Sequence, residues 1–343
     1  LTLVDRIAID AMGGDFGPSE TVPAVLQVLA RHPDLHLTLV GQEDRVREEL
    51  RKLGQSESER LLILHAPEVV EMHELPSLAL RNKKQSSMRI AIEMVKENKA
   101  DACVSAGNTG ALMAISRYVL KMLPGIDRPA ICSTMPGVEG HTHLLDLGAN
   151  INTSSEQLFQ FAVMGSELTS AVENIENPTV GLLNVGSEEN KGDDRIKQAA
   201  ILLTNSHLNY IGFVEGTDIF TGKVDVIVTD GFTGNVALKA SEGVAKLVGY
   251  HVKKEFSGSL YGKLSALLTI PILRKIQNKI DPRRYNGASL LGLRGIVVKS
   301  HGGADRVSFA TAIEEAIKEV DMDVPERISA RLEKLHLNGN GVL

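Results

Sequence analysis

The sequence contains no tryptophan, and aromatic residues make up only 4% of its 343 positions. Single-stranded nucleic acid is bound by stacking bases on aromatic platforms, so this scarcity argues against a nucleic-acid partner. The formal net charge of −6 points the same way. Cysteine is nearly absent: Cys103 and Cys132 lie inside apolar runs and form no CxxC pair. Buried, inert thiols and a cytoplasmic protein are expected from that usage. The opening "LTLVDRIAID" lacks a basic region ahead of a cleavable apolar core, so no signal peptide is expected. Nor does any apolar run reach the roughly 18 to 20 residues of a membrane-crossing helix. A soluble protein, or one lying on a membrane, remains.

Familiar catalytic motifs are missing as well. No GxGxxG follows the first apolar run, and GxxxxGK[ST], HExxH and GxSxG do not occur. The ten histidines show no metal-ligand spacing beyond His141 and His143, which flank one residue; that weak cue belongs more often to a strand or loop than to a metal. No metal and no cofactor are expected. An enzyme built this way has no recognisable nucleophile of its own, and the substrate would supply one.

What is present is an alternation of short β-branched runs with helical patterns. Strands are predicted at 6–11, 35–41, 60–66, 100–107, 129–134, 143–148, 179–186, 208–214, 224–230 and 295–300. Segments of three-to-four-residue apolar spacing, such as "SSMRIAIEMVKEN", lie between most of them. Continuous apolar runs indicate strands buried on both faces, hence a doubly wound, mostly parallel α/β sheet in one domain over 1–343. The tail "LHLNGNGVL" reads as frayed. Six strands end in polar, glycine-rich corners: "DAMGGD" (10–15), "SAGNTGA" (105–111), "DLGAN" (146–150), "NVGSEENKGDD" (184–194), "TDGFTGN" (229–235) and "SHGGAD" (300–305). Ligands of open parallel sheets bind beyond the carboxyl ends of strands, so a shared active-site rim is expected. In particular, "DGFTGN" (230–235) opens a long helix, and its backbone N–H groups are candidates to hold an anion.

"RIAIDAMGGD", "VSAGNTGALM", "LLDLGAN", "LLNVGSEENKGDD", "GFVEG", "DVIVTDGFTGNVALK" and "KSHGGAD" occur together and in this order. This set resembles the PlsX family of bacterial acyl-acyl-carrier-protein:phosphate acyltransferases of phospholipid synthesis, over roughly residues 5 to 335. The resemblance implies that inorganic phosphate attacks the thioester of a fatty acyl carrier protein, giving acyl phosphate and free carrier. It implies a homodimer with a Rossmann-like fold related to phosphotransacetylases and isocitrate-type dehydrogenases. Such a site needs to hold phosphate in line with the carbonyl and stabilise an oxyanion. On this resemblance Lys191 and Asn235 are the expected catalytic groups, and Gly13, Gly14, Asn108, Thr109, Gly231, Thr233, Gly234 and His301 surround the substrate. Alternatives stay open for several of these. Lys191 reads equally as a solvated partner of Asp193 or Asp194, Asn108 and Thr109 as a helix cap, and His301 as support behind the site. Asp10, Asp15 and Asp230 repel phosphate and suit capping or the orientation of Lys191 and loop amides.

Residues 251–295 stand apart, with nine Lys or Arg and two Asp or Glu, a formal +7. The apolar "LSALLTIPIL" within it is too short to span a bilayer but suits an interfacial helix, with Leu264, Leu267, Leu268 and Ile270 touching the membrane. A dimer interface with a basic rim explains the stretch as well. The implied partners are acyl carrier protein, phosphate, a membrane surface on its inner face and the membrane glycerol-3-phosphate acyltransferase. Rival readings are a coenzyme A-dependent phosphotransacetylase, a metal- and nicotinamide-dependent decarboxylating dehydrogenase, and a non-catalytic membrane scaffold.

Overall fold

The computed structural model describes residues 5–337. The amino-terminal half runs β1 (Arg6–Asp10), α1 (Pro18–Leu29), β2 (His36–Gly41), α2 (Glu43–Lys52), β3 (Leu61–His65), α3 (Pro76–Asn82), α4 (Ser87–Lys96), β4 (Ala102–Ser105), α5 (Thr109–Leu120), β5 (Ala130–Pro136) and β6 (His141–Leu145). It continues through α6 (Ser155–Glu173), β7 (Thr179–Leu183), α7 (Asp194–Thr204), β8 (Asn209–Val214), β9 (Val226–Val228), α8 (Gly231–Ser257) and α9 (Leu260–Ile280). The chain closes with β10 (Ala288–Leu291), β11 (Ile296–Lys299), α10 (Arg306–Asp321) and α11 (Val324–Leu337). Positions 338–343 of the tail expected to fray lie outside the described residues.

The eleven strands among the described residues form one sheet, in the order β3-β2-β1-β4-β11-β10-β5-β6-β9-β7-β8. Two parallel wings, β3 to β11 and β6 to β8, are joined by antiparallel pairings through β10 and β5. The mostly parallel α/β expectation is met. Alternation along each strand divides the core: Ile7 and Ile9 of β1 pack under α1 and α10, while Ala8 faces the opposite layer. In the other wing Leu145 packs beneath α6, and Leu144 joins the layer of Ala8. That shared layer also holds Leu112 and Ile115 of α5 with Ile227 of β9, so it ties the wings together.

The ten predicted strands are present, and β10 is the one that sequence reading missed. Residues 288–291 of the basic 251–295 stretch therefore belong to the sheet. The part that projects is an arm made of α8 and α9, with residues 243–255 of α8 exposed. On α9, Leu267 and Leu268 are 68% and 81% exposed, and Ile270 is half-buried. The side chain of Leu264 lies outside the described residues. No described helix is long and apolar enough to cross a membrane.

Candidate active site

The six glycine-rich corners form two groups of three. At the ends of β1, β4 and β11, three neighbours in the sheet, lie residues 10–15, 105–111 and 300–305. At the ends of β6, β9 and β7, also neighbours, lie 146–150, 229–235 and 184–194. The wings run in opposite senses. Five steps along the sheet, each twisting typically by about 20 to 25°, separate β4 from β9. The helix α8 joins the two groups. It starts among the second group, and its Lys239 lies near enough to Lys299 and His301 of the first to act on their charge.

Asp146 organises the second group. It is fully buried, and its carboxylate accepts from Ile131 N (3.0 Å), Ala149 N (3.1 Å), Asn150 N (2.7 Å) and Asn150 Nδ2 (2.9 Å). Burial raises its pKa, and these bonds oppose the rise. Against this loop the amino end of α8 packs so closely that only glycine fits. A methyl at Gly231 would lie 2.7 Å from Asn150 O, and one at Gly234 would overlap the Asp146 carbonyl oxygen.

This packing corrects one expectation. Three amides of "DGFTGN", those of Gly231, Thr233 and Gly234, are not open to an anion, because the protein itself uses them. Gly231 N donates to Asn150 O (2.8 Å), Thr233 N to the capping Asp230 Oδ1 (2.8 Å), and Gly234 N to Asp230 O (2.9 Å). Gly231 and Gly234 thus serve close approach, and Asp230 occupies the positive helix end. The side chains of Thr233 and Asn235 remain exposed, and Asn235 is the nearest neighbour of Gly148.

Lys191 is exposed in the loop after β7, and among the described residues it makes no ion pair. Of its two expected partners, Asp193 is taken by Arg195. Arg195 Nη2 binds Asp193 Oδ2 at 3.3 Å and Asp230 Oδ2 at 3.1 Å. That bridge also fastens the Lys191 loop to the start of α8, so Lys191 and Asn235 sit on adjoining corners. Sequence reasoning passed over Arg195, although a lone arginine beside "KGDD" was the available signal.

The first group is built around two buried charged residues, Asp10 and Lys299. Asp10, with its pKa raised by burial, accepts from Ser105 Oγ at 2.6 Å. Lys299 is only 8% exposed; its Nζ donates to Ala106 O (3.2 Å) and Ser300 O. Burial lowers its pKa to about 8, against the favourable charge of Asp10. Gly13 is buried and Gly14 has φ +87°, with a methyl at Gly14 falling 2.8 Å from Gly302 O. Asn108 is fully engaged: Oδ1 caps α5 at Ala111 N (3.0 Å), and Nδ2 donates to Met72 O (2.8 Å) and Glu74 O (3.0 Å). Asn108 is therefore a cap that anchors a loop, whereas Thr109 is exposed.

His301 Nδ1 accepts from Gly303 N at 3.1 Å. In the neutral ring the proton then sits on Nε2, which becomes a donor. Burial, followed by Lys239, lowers the pKa of His301 and favours that neutral form. Beside Gly14 opens a cleft of about 490 Å³ with Met12, Phe16 and Val69 on its walls and Arg45 and Lys83 among its polar groups.

The sequence matches the family described as "Fatty acid synthesis protein" over residues 5–327. It is 60% identical to a phosphate acyltransferase of Methylococcus capsulatus over 95% of this chain and 96% of that one. Identity to a phosphate acyltransferase of Alkalilimnicola ehrlichii is 58%, covering 96% of both chains. A phosphotransacetylase from Streptococcus pyogenes shares the fold, with a TM-score of 0.63 at 17% identity, 94% of this chain and 95% of that one. So does a 4-hydroxythreonine-4-phosphate dehydrogenase from Klebsiella pneumoniae, with a TM-score of 0.52 at 14% identity, 93% of this chain and 100% of that one. These corners of the sheet, and relatives of this identity along nearly all its length, show that the chain belongs to the PlsX family of phosphate acyltransferases.

Proposed function

We propose that this protein transfers the acyl group of a fatty acyl carrier protein to inorganic phosphate, as a step of bacterial phospholipid synthesis. The observation that carries the reading is the exposed Lys191, free of ion pairs among the described residues, on a loop that Arg195 fastens beside Asn235. A cation and an amide donor at adjoining strand ends suit an anionic nucleophile and a developing oxyanion.

A phosphate oxygen attacks the thioester carbonyl carbon, and the carbonyl π electrons move to oxygen. Collapse of the tetrahedral species reforms C=O and breaks the C–S bond, and the electron pair leaves on the carrier's thiolate. Lys191 holds phosphate and offsets the growing negative charge, while Asn235 Nδ2 donates to the tetrahedral oxygen. Neutral His301 offers Nε2–H to phosphate, and Lys239 adds attraction from one turn beyond Asn235. The balance requires no redox cofactor.

The arm supplies partners in this reading. Val244, Leu247 and Val248 form an exposed apolar face on α8, with the spacing of a helix packing on a second copy, hence a homodimer. Leu267 and Leu268 on α9, flanked by the exposed Lys263, Arg274 and Lys275, suit the inner membrane surface, where a glycerol-3-phosphate acyltransferase consumes the lipophilic product. The basic flanks also suit an acidic carrier protein. Incubation with palmitoyl-acyl carrier protein, with and without phosphate, tests the reaction. Phosphate-dependent release of carrier with matching acyl phosphate is expected; release independent of phosphate, or activity confined to coenzyme A thioesters, contradicts it.

A further inference from the structure

At the opposite end of β6 from the 146–150 loop, His141 and His143 project from the same strand face, as residues two apart must. Glu173 ends α6 directly against them. Nε2 of His141 lies 3.0 Å from Glu173 Oε1, and Nε2 of His143 lies 3.7 Å from the same oxygen. One ligand atom from each residue fits within 4.8 Å of both others.

Two further observations separate this group from an ordinary surface ion pair. His143 is only 3% exposed, yet its Nε2 has no hydrogen-bond partner among the described residues, since 3.7 Å is too long for one. Leaving a buried ring nitrogen unsatisfied is costly. Its other nitrogen, Nδ1, lies 3.4 Å from Thr134 Oγ1 on the neighbouring β5, which fixes the ring with Nε2 aimed at Glu173. Metal-binding histidines are oriented in this way through the nitrogen that does not bind.

We infer that His141, His143 and Glu173 form a binding site for a divalent transition metal, with Zn²⁺ the best match. Two imidazoles and one carboxylate suit zinc by ligand type. Bonds of 2.0 to 2.1 Å in a tetrahedron place ligand atoms about 3.3 Å apart, and the observed 3.0 and 3.7 Å straddle that spacing. His141 and Glu173 are partly exposed, at 31% and 28%, so an ion has a path in. The carboxyl-terminal end of α6 favours a cation there. From α10, Glu315 adds attraction and Lys318 opposes it. His143 and His141 lie three and five strand residues before Asp146, about 10 and 16 Å at 3.3 Å each. The ion therefore staples the start of β6 to the end of α6 and does not take part in acyl transfer.

The test is equilibrium dialysis of chelator-treated full-length protein against Zn²⁺, with Co²⁺ replacing it for visible spectroscopy. One ion per chain is expected, with a Co²⁺ spectrum of low-symmetry nitrogen and oxygen ligation and a rise in the thermal unfolding midpoint. Because loss of an outer-shell partner alone costs about 10- to 100-fold in affinity, His141→Gln and Glu173→Gln should each cost at least about 100-fold. Both positions are partly exposed, so the variants are expected to fold, and circular dichroism checks this. Absence of saturable binding in the wild type overturns the inference. So does a stoichiometry, spectrum or thermal shift that both variants retain.

Discussion

Replacing Gly234 with alanine tests whether the seating of α8 on the 146–150 loop sets the position of Asn235. The added methyl would overlap the Asp146 carbonyl oxygen and lie 2.9 Å from Thr229 Cγ2. The loop cannot retreat readily, because the buried Asp146 carboxylate holds it through four hydrogen bonds. Restoring an ordinary carbon–oxygen contact of about 3.3 Å therefore moves the helix end by roughly 1 Å. Overpacking of this kind costs about 1 to 3 kcal/mol. A displacement of about 1 Å in a positioning group costs about 100-fold in rate. The control lies on the same helix: Gly243 has nothing within 4 Å of an added methyl. Gly243→Ala should stabilise by about 0.5 to 1 kcal/mol and leave turnover unchanged. Urea unfolding and phosphate-dependent carrier release read the two effects separately. Wild-type stability and turnover in Gly234→Ala would refute the reasoning.

Three further outcomes are expected. Asn235→Asp should be slower than Asn235→Ala in the same carrier-release assay, because it places a negative charge where a donor faces an anion; equal rates would reduce Asn235 to a structural role. Glu319 is buried with its pKa raised to about 8, by burial and then by Glu315. The folded state keeps a proton between pH 4.5 and 8 that the unfolded chain gives up, so wild-type stability should fall across that window, by on the order of 5 kcal/mol. Glu319→Gln should flatten that slope in urea titrations run at several pH values, and an unchanged slope would assign it elsewhere. Replacing Leu267 and Leu268 with Glu should abolish co-sedimentation with anionic liposomes while leaving the soluble reaction intact; a monomeric or insoluble product would instead identify a dimer or core element.

The sequence carried the fold well where burial alone decides it. Apolar runs such as "VDVIVT" mark strands because most are covered on both faces; ten were placed this way, although the edge strands β3 and β8 leave Leu62, Leu64 and Ile211 exposed. Strand direction is a different matter, since a buried run looks the same in parallel and antiparallel company. The antiparallel centre therefore stayed hidden, along with β10, whose "ASLL" is only four residues long and lies beside the basic arm. The grouping of the corners into two threes follows from that same pairing order, which no local pattern encodes.

Legibility of the site was uneven for similar reasons. Glycines at strand ends were visible, but whether their amides face a ligand or a neighbouring loop depends on contacts such as Gly231 N with Asn150 O, 81 positions apart. The role of Asn108 as a cap was among the readings left open, and the bonds to Met72 and Glu74 decide it. Lys299 could have been found from a lysine ending the apolar "GIVV" ahead of "SHGGAD". Its burial beside Asp10 needed the third dimension.

The central claim is that phosphate attacks the thioester directly, and a single-turnover experiment tests it most closely. Excess enzyme is mixed with palmitoyl-acyl carrier protein without phosphate, then with it, and both free carrier and intact protein mass are followed. Without phosphate, the account predicts no carrier release and no mass added to the protein; adding phosphate should release carrier and yield acyl phosphate, and Lys191→Ala should lose most of that release. A stoichiometric burst of carrier before phosphate is added, with a palmitoyl group bound to the protein, would contradict it.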